Sequence, residues 1–298
     1  MNRSAATPIE PTPASLTHPL ARYLLATRPA FLTIALAGCL LGFATASTVA
    51  FAWPLALVTV VLAVAAQAGV NVLNDYYDHL NGTDALNTDR LYPFTGGSRF
   101  IQNGIMGPRQ MLAYGLVLFA VVTAGGLWLI SERGAGLFWI GLAGLLIGWA
   151  YSAPPLKLNS RGMGEPAVAA GFLLIVVGAD FVQRGGLSAT PWLVGLPYAL
   201  LVTNILYINQ FPDRRADMAA GKLHWVARLE PAVAARGYWV ILATAVLVTT
   251  WLAVSGRVPL AALASMIAVL PALRAARLLA RHAGEPSALA PAIQLTIL

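Results

Sequence analysis

Two short segments of the sequence bring carboxylates together at the spacing of a helix face. The first contains Asn74, Asp75 and Asp78, and the second contains Asp213 and Asp217. Residues three or four positions apart share one side of a helix, so each segment predicts a group of polar side chains that point the same way. Further amides and acids extend the two groups: Asn71, Asp84 and Asp89 around the first, and Asn209 before the second.

Clustered carboxylate and amide oxygens without cysteine are the ligands that suit a hard divalent cation such as Mg²⁺. Protein-bound Mg²⁺ is usually shared between one or two carboxylates and the phosphates of a substrate. Basic residues accompany both acidic groups, and arginine and lysine bind phosphate oxygens. Ordinary solvation of helix ends by charged side chains is the alternative for either cluster alone. The accompanying bases are Arg90, Arg99, Lys157, Arg161, Arg214 and Lys222.

The composition places these clusters in a membrane protein. Of the 298 residues, 58% are apolar and only 10% are charged, against roughly 25% charged in an ordinary soluble domain. The mean hydropathy is +0.71. So few charged side chains cannot coat a soluble globule, which excludes soluble enzymes and nucleic-acid-binding domains. Cys39 is the single cysteine, which excludes a disulfide scaffold.

Eight apolar segments are long enough to cross a bilayer or nearly so, since a spanning helix takes about 20 mostly apolar residues. A ninth apolar piece, 287–298, is a truncated, tilted or interfacial last helix. We therefore predict an all-α, polytopic membrane helix bundle of eight or nine transmembrane helices. Residues 1–19 predict a disordered lead, and 20–298 a single transmembrane domain. The eight segments lie near 23–46, 54–74, 110–130, 135–151, 166–183, 191–211, 237–255 and 258–280.

The distribution of basic residues predicts the orientation of the bundle. When the N-terminus is assigned to the cytoplasm, 16 of the 19 lysines and arginines fall on the cytoplasmic side, as the positive-inside rule requires. The long polar connections, 75–109, 152–165 and 212–236, fall on that side together with both acidic clusters. We therefore expect a protein of the cell membrane with its N-terminus and an active-site mouth facing the cytoplasm.

At the acidic clusters the chain resembles the UbiA-type intramembrane aromatic prenyltransferases. The first motif of that family begins N-D-x-x-D and is matched by Asn74, Asp75 and Asp78. Its second motif is D-x-x-x-D and is matched by Asp213 and Asp217. The motifs stand in the family's order and at the expected helix ends, and the resemblance covers the chain from about residue 22 to its last residue.

Segments outside the acidic motifs resemble the family too. The early Arg28-Pro29 and the loop YSAPPLKLNSRGMGE at 151–165 match family patterns, and GGSR at 96–99 is similar to the branch that prenylates 1,4-dihydroxy-2-naphthoate in menaquinone biosynthesis. The chain departs from the family in three places. The third acid of the first motif is Asp84, where many members have it two residues earlier. After the second motif, GKLHWVARLE replaces the branch's GK-R-T-L-x-V-R-L-G, and the C-terminus is abbreviated.

The resemblance implies transfer of an isoprenoid chain from a polyprenyl diphosphate to an aromatic acceptor, with two Mg²⁺ ions. Asp75, Asp78 and Asp84 would hold one ion, and Asp213 and Asp217 the other. The resemblance also implies a diphosphate site built from bases and a set of rings that shield a carbocation or contact the acceptor. The bases are Arg28, Arg90, Arg99, Lys157, Arg161 and Lys222. The rings are Tyr76, Tyr151 and Tyr207.

Several alternatives stay open at this stage. Asn74 would act with the catalytic acids, orienting either a Mg²⁺-bound water or a diphosphate oxygen. Each tyrosine could instead belong to an interfacial aromatic belt or to the core. The acceptor could be 4-hydroxybenzoate, homogentisate or another lipid precursor rather than dihydroxynaphthoate. A rival of another class is an ion-coupled transporter, although transporters usually place their acids near the bilayer midplane. Membrane lipid is an expected partner in every case.

Overall fold

The computed structural model describes residues 9–298, which form helices joined by loops, with no β-strand among them. The predicted all-α membrane bundle is confirmed. The α-helices in this part of the chain are α1 Pro19–Ala26, α2 Leu32–Thr45, α3 Trp53–Asn81, α4 Thr83–Leu86, α5 Pro108–Arg133, α6 Gly136–Ser152, α7 Gly164–Arg184, α8 Thr190–Ala219, α9 Trp225–Arg228, α10 Pro231–Val254, α11 Val269–His282 and α12 Ala290–Ile297.

In the described part of the chain, six helical segments are long and apolar enough to cross a membrane: α3, α5, α7, α8, α10 and Leu260–His282, which ends in α11. Helices α1 and α2 together pass the same test as one span bent by 48°. Helix α6 has 17 residues, about the lower limit for a span. These segments correspond in position to the eight predicted ones. Helix α12 has eight residues, about 12 Å of helix, so residues 9–298 contain no ninth segment long enough to cross a membrane.

The bend between α1 and α2 lies at Arg28-Pro29. A proline disfavours helical backbone in the residue before it, and Arg28 has a φ of 59°. At this break the Arg28 guanidinium lies 4.9 Å over the Phe31 ring and donates a hydrogen bond from Nη2 to the Phe94 carbonyl, 3.1 Å away. The break therefore connects the first span to the loop that follows α4.

The described part of the predicted lead lies against this same loop. Residues 1–8 fall outside the described residues, and α1 begins at Pro19. Between them, the Glu10 carboxylate accepts a hydrogen bond from Arg90 Nε at 2.6 Å and another from Asn103 Nδ2 at 3.3 Å. Hydrogen bonds from these two residues outweigh the effect of burial and lower the pKa of Glu10, so it stays an anion.

Close helix packing depends on small residues at the contacts. Gly42 of α2 meets the Val176 carbonyl and the Ala179 side chain of α7, where a larger residue would clash. At the other end of the chain, Ile293 of α12 is fully buried in a cluster with Ile208 of α8 and other residues of α10 and α11. The C-terminal piece therefore packs against the bundle.

Candidate active site

The C-terminal end of α3 positions the first acidic motif. Asp78 lies one turn beyond Asn74, and Asn74 Nδ2 donates to Asp78 Oδ2 at 3.2 Å and to Ser152 Oγ at 3.1 Å. Gly82, with a φ of 83°, ends the helix, and the short α4 then carries Asp84 to a buried position beside the motif. The glycine turn therefore brings a third acid to the two that α3 supplies.

Asp75 is held by the glycine-rich loop at 96–99. The Ser98 backbone N–H donates to Asp75 Oδ2 at 3.0 Å. A Cβ atom placed on Gly97 would lie 2.8 Å from Asp75 Oδ1 and 3.2 Å from Asp84 Oδ2, and Gly97 has a φ of +72°. Two carboxylates therefore approach one stretch of backbone that only glycine can form.

The same loop holds the second motif at the end of α8. Asn87 Nδ2 donates to Asp213 Oδ1 at 2.6 Å, and the Gly96 backbone N–H donates to Asp213 Oδ2 at 3.3 Å. Since Gly96 precedes the residues that hold Asp75, one loop contacts both acidic motifs. The predicted meeting of the two clusters at one end of the bundle is thus observed.

Lys222 joins the two motifs directly. Its ammonium lies 3.1 Å from both carboxylate oxygens of Asp78 and 3.1 Å from Asp217 Oδ1. Burial alone would lower the pKa of Lys222, but Asp217 and Asp78 more than offset that effect and raise it well above its usual value. Lys222 is therefore a fixed positive charge between the two acidic groups.

Asp84, which lies outside the spanning helices, shows how closely the acids are placed. Burial, followed by the neighbouring Asp78 and Asp75 carboxylates, raises the pKa of Asp84 well above its usual value. Several carboxylates this close together stay ionised only if positive charge is added among them. The acidic groups therefore favour a cationic ligand.

Four of the five acids form the mouth of a cavity of about 530 Å³ together with Lys222, whereas Asp75 does not line it: the four are Asp78, Asp84, Asp213 and Asp217. Its walls come from α3, α5, α6, α7 and α8 and are mostly apolar. Asp78 and Thr59 both line the cavity. They lie 19 residues apart on α3, which corresponds to about 28 Å along the helix axis. The cavity thus extends over nearly the roughly 30 Å of a bilayer's hydrocarbon core. A mostly apolar cavity of that length suits a long hydrocarbon chain.

A charged mouth over a deep apolar cavity is the arrangement that the sequence predicted for an isoprenoid diphosphate. The model of the UbiA prenyltransferase family matches residues 35–295. The chain belongs to that family. This prenyltransferase is therefore an enzyme, and the predicted family, enzyme class and multi-pass membrane fold are confirmed. The rival interpretation as an ion-coupled transporter is not supported.

Relatives of this prenyltransferase include enzymes named for a naphthoate substrate. The 1,4-dihydroxy-2-naphthoate octaprenyltransferase of Mycobacterium leprae (strain TN) is 29% identical over 243 residues, which cover 78% of this chain and 80% of that protein. The protein of the same name from Mycobacterium tuberculosis is 30% identical over 235 residues, covering 77% of each. The structure of a UbiA homolog from Archaeoglobus fulgidus bound to DMAPP and Mg²⁺ superposes with a TM-score of 0.68, at 16% identity, covering 93% of this chain and 96% of that one. The last similarity shows a shared fold.

The donor atoms of this prenyltransferase fit a divalent cation. Within residues 9–298, no three histidine, cysteine or acidic side chains form a metal-holding group, and Asp78 and Asp217 pair with Lys222. Asp75 Oδ1 and Asn209 Oδ1 are nevertheless buried oxygens without a hydrogen-bond partner in the same part of the chain. Such groups are costly unless a ligand satisfies them, and oxygen donors suit Mg²⁺.

The predicted diphosphate-binding bases divide into three pairs. Lys222 and Arg28 line the cavity. Arg90 and Arg99 lie behind its wall: Arg90 pairs with Glu10, and Arg99 Nη1 donates to the Asp84 carbonyl. The structure does not bring Lys157 and Arg161 to the cavity wall. Arg161 is exposed and donates to the Pro155 carbonyl at 2.8 Å, and Lys157 lies in the same loop.

Only one of the three predicted tyrosines lines the cavity, namely Tyr151. Tyr76 packs edge-on against Tyr77 and joins a separate core cluster. Tyr207 is buried among α8 and α10, where its hydroxyl donates to the Ala234 carbonyl at 2.8 Å. Tyr76 and Tyr207 therefore belong to the packed core in this structure, which is one of the alternatives that the sequence left open.

The structure places several further polar side chains at the site that were not among the predicted site residues. His224, Asn87 and Asn159 line the cavity, and Ser152 accepts hydrogen bonds from Asn74 and Asn159. Asn159 and Ser152 belong to the loop at 151–165 that resembles the family's pattern, and this resemblance could have identified them as site residues. Asn87 follows Asp84 by three residues, a spacing that could have suggested a shared face.

Proposed function

We propose that this prenyltransferase transfers a polyprenyl chain from its diphosphate to 1,4-dihydroxy-2-naphthoate, with Mg²⁺ and as a step of menaquinone biosynthesis. The observation that carries the proposal is the pair of acidic motifs facing one another across the mouth of a deep apolar cavity. A charged head at the mouth and a hydrocarbon tail in the cavity would satisfy both halves of this arrangement. The naphthoate relatives support the choice of acceptor.

The residues at the mouth would hold the diphosphate head. Asp75, Asp78 and Asp84 would hold one Mg²⁺, and Asp213 with Asp217 a second. Bound there, Mg²⁺ neutralises the negative charge of the diphosphate and the further charge that develops on it as a leaving group. Positive charge comes also from the chain itself, directly from Lys222 and Arg28 at the cavity wall and from Arg90 and Arg99 behind it.

In the proposed reaction the allylic C–O bond breaks, and the diphosphate leaves with the electron pair. An electron-rich ring carbon of the acceptor then attacks the allylic cation. The bond to the acceptor's carboxylate breaks, CO₂ leaves, and that electron pair restores the aromatic ring. Tyr151 lines the cavity, and its ring face would stabilise the cation, while the Asn74 amide orients a diphosphate oxygen.

The acceptor is tested by analysis of the products. Membranes that contain the enzyme, given Mg²⁺ and polyprenyl diphosphates, should convert dihydroxynaphthoate to a product heavier by the prenyl group and lighter by CO₂. Mass spectrometry measures this product against parallel reactions with 4-hydroxybenzoate and homogentisate. Chelation of Mg²⁺ is the control and should stop the reaction. Prenylation of another acceptor with none of dihydroxynaphthoate would contradict the proposed substrate.

We also propose that the enzyme lies in the cell membrane with its N-terminus and cavity mouth toward the cytoplasm. The bias of basic residues toward the mouth supports this orientation. A topology reporter inserted after Arg99, beside the mouth, should report a cytoplasmic location. The same reporter after Gly134, at the far end of α5, should report the opposite side. The reverse pattern would overturn the orientation and leave the reaction proposal intact.

A further inference from the structure

His224 is a buried histidine at the cavity mouth that the proposed mechanism does not use. It stands two residues after Lys222, at the N-cap of α9, and its relative exposure is 1%. It lines the cavity together with Asp217. This is also a position at which the sequence departs from the pattern of the naphthoate branch, where threonine stands.

The hydrogen bonds of the imidazole assign its tautomer. The backbone N–H of Ala227 donates to His224 Nδ1 at 3.2 Å, so Nδ1 carries a lone pair. A neutral imidazole with a free lone pair on Nδ1 carries its proton on Nε2. Nε2 lies 2.9 Å from Asp217 Oδ2. The Nε2–H group therefore donates to that carboxylate, and the backbone of α9 maintains this direction.

The two oxygens of Asp217 meet different partners. Oδ2 accepts the hydrogen bond from His224, whose ring is rigid and buried. Oδ1 lies 3.1 Å from the ammonium of Lys222, at the end of a flexible four-carbon stem, and it accepts no hydrogen bond of good geometry from the described residues. The imidazole thus fixes the plane of the carboxylate, and Oδ1 is left as the oxygen without a hydrogen-bond partner, beside the Lys222 ammonium.

Resting on the proposed function, we infer that His224 is a positioning residue for the second acidic motif. By donating from Nε2 it holds the Asp217 carboxylate in one orientation, in which Oδ1 would be available as a ligand to the Mg²⁺ of the second motif. Hydrogen-bond partners that orient a carboxylate ligand in this way commonly contribute a factor of about 10–100 in metal affinity. In this role His224 acts on the bound ion through Asp217, to which its Nε2 donates.

The competing role for His224 is that of a helix cap alone. Threonine and asparagine are both favoured at N-caps, because their side-chain oxygen accepts a backbone N–H of the first turn. Both side chains are shorter than histidine and end before the position of Nε2. His224→Thr and His224→Asn therefore keep the cap and remove the bond to Asp217. His224→Gln is the rescue variant, since its longer side chain places an amide N–H near the position of Nε2.

The test measures binding of Mg²⁺ without turnover. The purified full-length protein is titrated with Mg²⁺ at a fixed concentration of inorganic diphosphate, and the rise of its melting temperature gives the half-saturating concentration. We expect that concentration to increase by about 10–100-fold in His224→Thr and His224→Asn and by less than about threefold in His224→Gln. The melting temperatures without ligand should stay close to that of the unaltered protein.

Each outcome decides the question. Unchanged Mg²⁺ binding in a folded threonine or asparagine variant would reduce His224 to a cap and overturn the inference. A glutamine variant as weak as the threonine variant would also overturn it, because restoring the donor would then have no effect. If the unaltered protein itself shows no stabilisation by Mg²⁺ and diphosphate, the proposed function fails together with the inference. The two failures are therefore distinguishable.

Discussion

Replacing Asp213 with asparagine should lower turnover by roughly 10²–10³-fold while leaving the protein folded. Loss of one group that stabilises charge on a leaving group costs about 3–4 kcal/mol of barrier. Asp213 is suited to this test because it lines the mouth and does not pair with Lys222. The substitution removes the negative charge that would hold Mg²⁺ and changes the shape of the side chain very little.

The hydrogen bonds around Asp213 can survive this substitution. Asp213 accepts from Asn87 Nδ2 and from the Gly96 backbone N–H. The Oδ1 atom of Asn87 is buried and has no partner within residues 9–298. If the Asn87 amide rotates by half a turn, that oxygen accepts from the new amide at position 213, and the new carbonyl still accepts from Gly96. Turnover should therefore fall without a matching fall in melting temperature.

Asp89→Asn is the matched control for the loss of an acid at the same end of the bundle. Asp89 pairs with Arg215 at 2.6 Å, but the Arg215 side chain is 74% exposed, and neither residue lines the cavity. Exposed ion pairs contribute little, so activity should stay within about twofold of the unaltered enzyme. Full activity in Asp213→Asn, or equal losses in both variants, would contradict the assignment of Asp213 to the diphosphate site.

The ends of α3 and α8 illustrate what the sequence was able to predict. Carboxylates at helical spacing, next to long apolar runs, place Asp75, Asp78, Asp213 and Asp217 at helix ends whatever the tertiary packing is. The charge bias of the loops then puts both ends on one side of the bundle. These inferences depend on local periodicity and on the membrane as solvent, and both are written in the sequence.

The partners of those carboxylates depend on contacts that local patterns do not encode. Lys222 was predicted to bind diphosphate, and it does lie at the mouth, but its pairing with Asp78 spans 144 residues. Glu10 pairs with Arg90 across 80 residues, in a segment whose composition predicts disorder. Tyr207 has the residue type expected near a carbocation, yet its hydroxyl finds the Ala234 carbonyl instead. Tertiary packing decides such choices.

Gly144→Phe should make the enzyme selective for short isoprenoid tails. Gly144 lies on the cavity wall, seven residues from Tyr151 along α6, or about 10 Å below the mouth. A Cβ atom placed there meets no neighbouring atom within 4 Å, so the new side chain starts in open space at the cavity wall. The head of the donor still reaches the acids, while a long tail meets the ring partway down the cavity.

The measurement compares kcat/KM for donors of increasing tail length. Since a clash in a packed apolar site costs about 1–3 kcal/mol, we expect Gly144→Phe to lose about 10–100-fold with long polyprenyl diphosphates and less than about threefold with a donor of one or two isoprene units. Ala143→Phe is the matched control, because Ala143 neighbours Gly144 on α6 but does not line the cavity. A loss that is equal for every tail length would place the tail elsewhere. Unchanged activity of Gly144→Phe with every donor would also contradict the placement of the tail in the cavity, since a cavity that holds the tail cannot accept both the ring and a long chain.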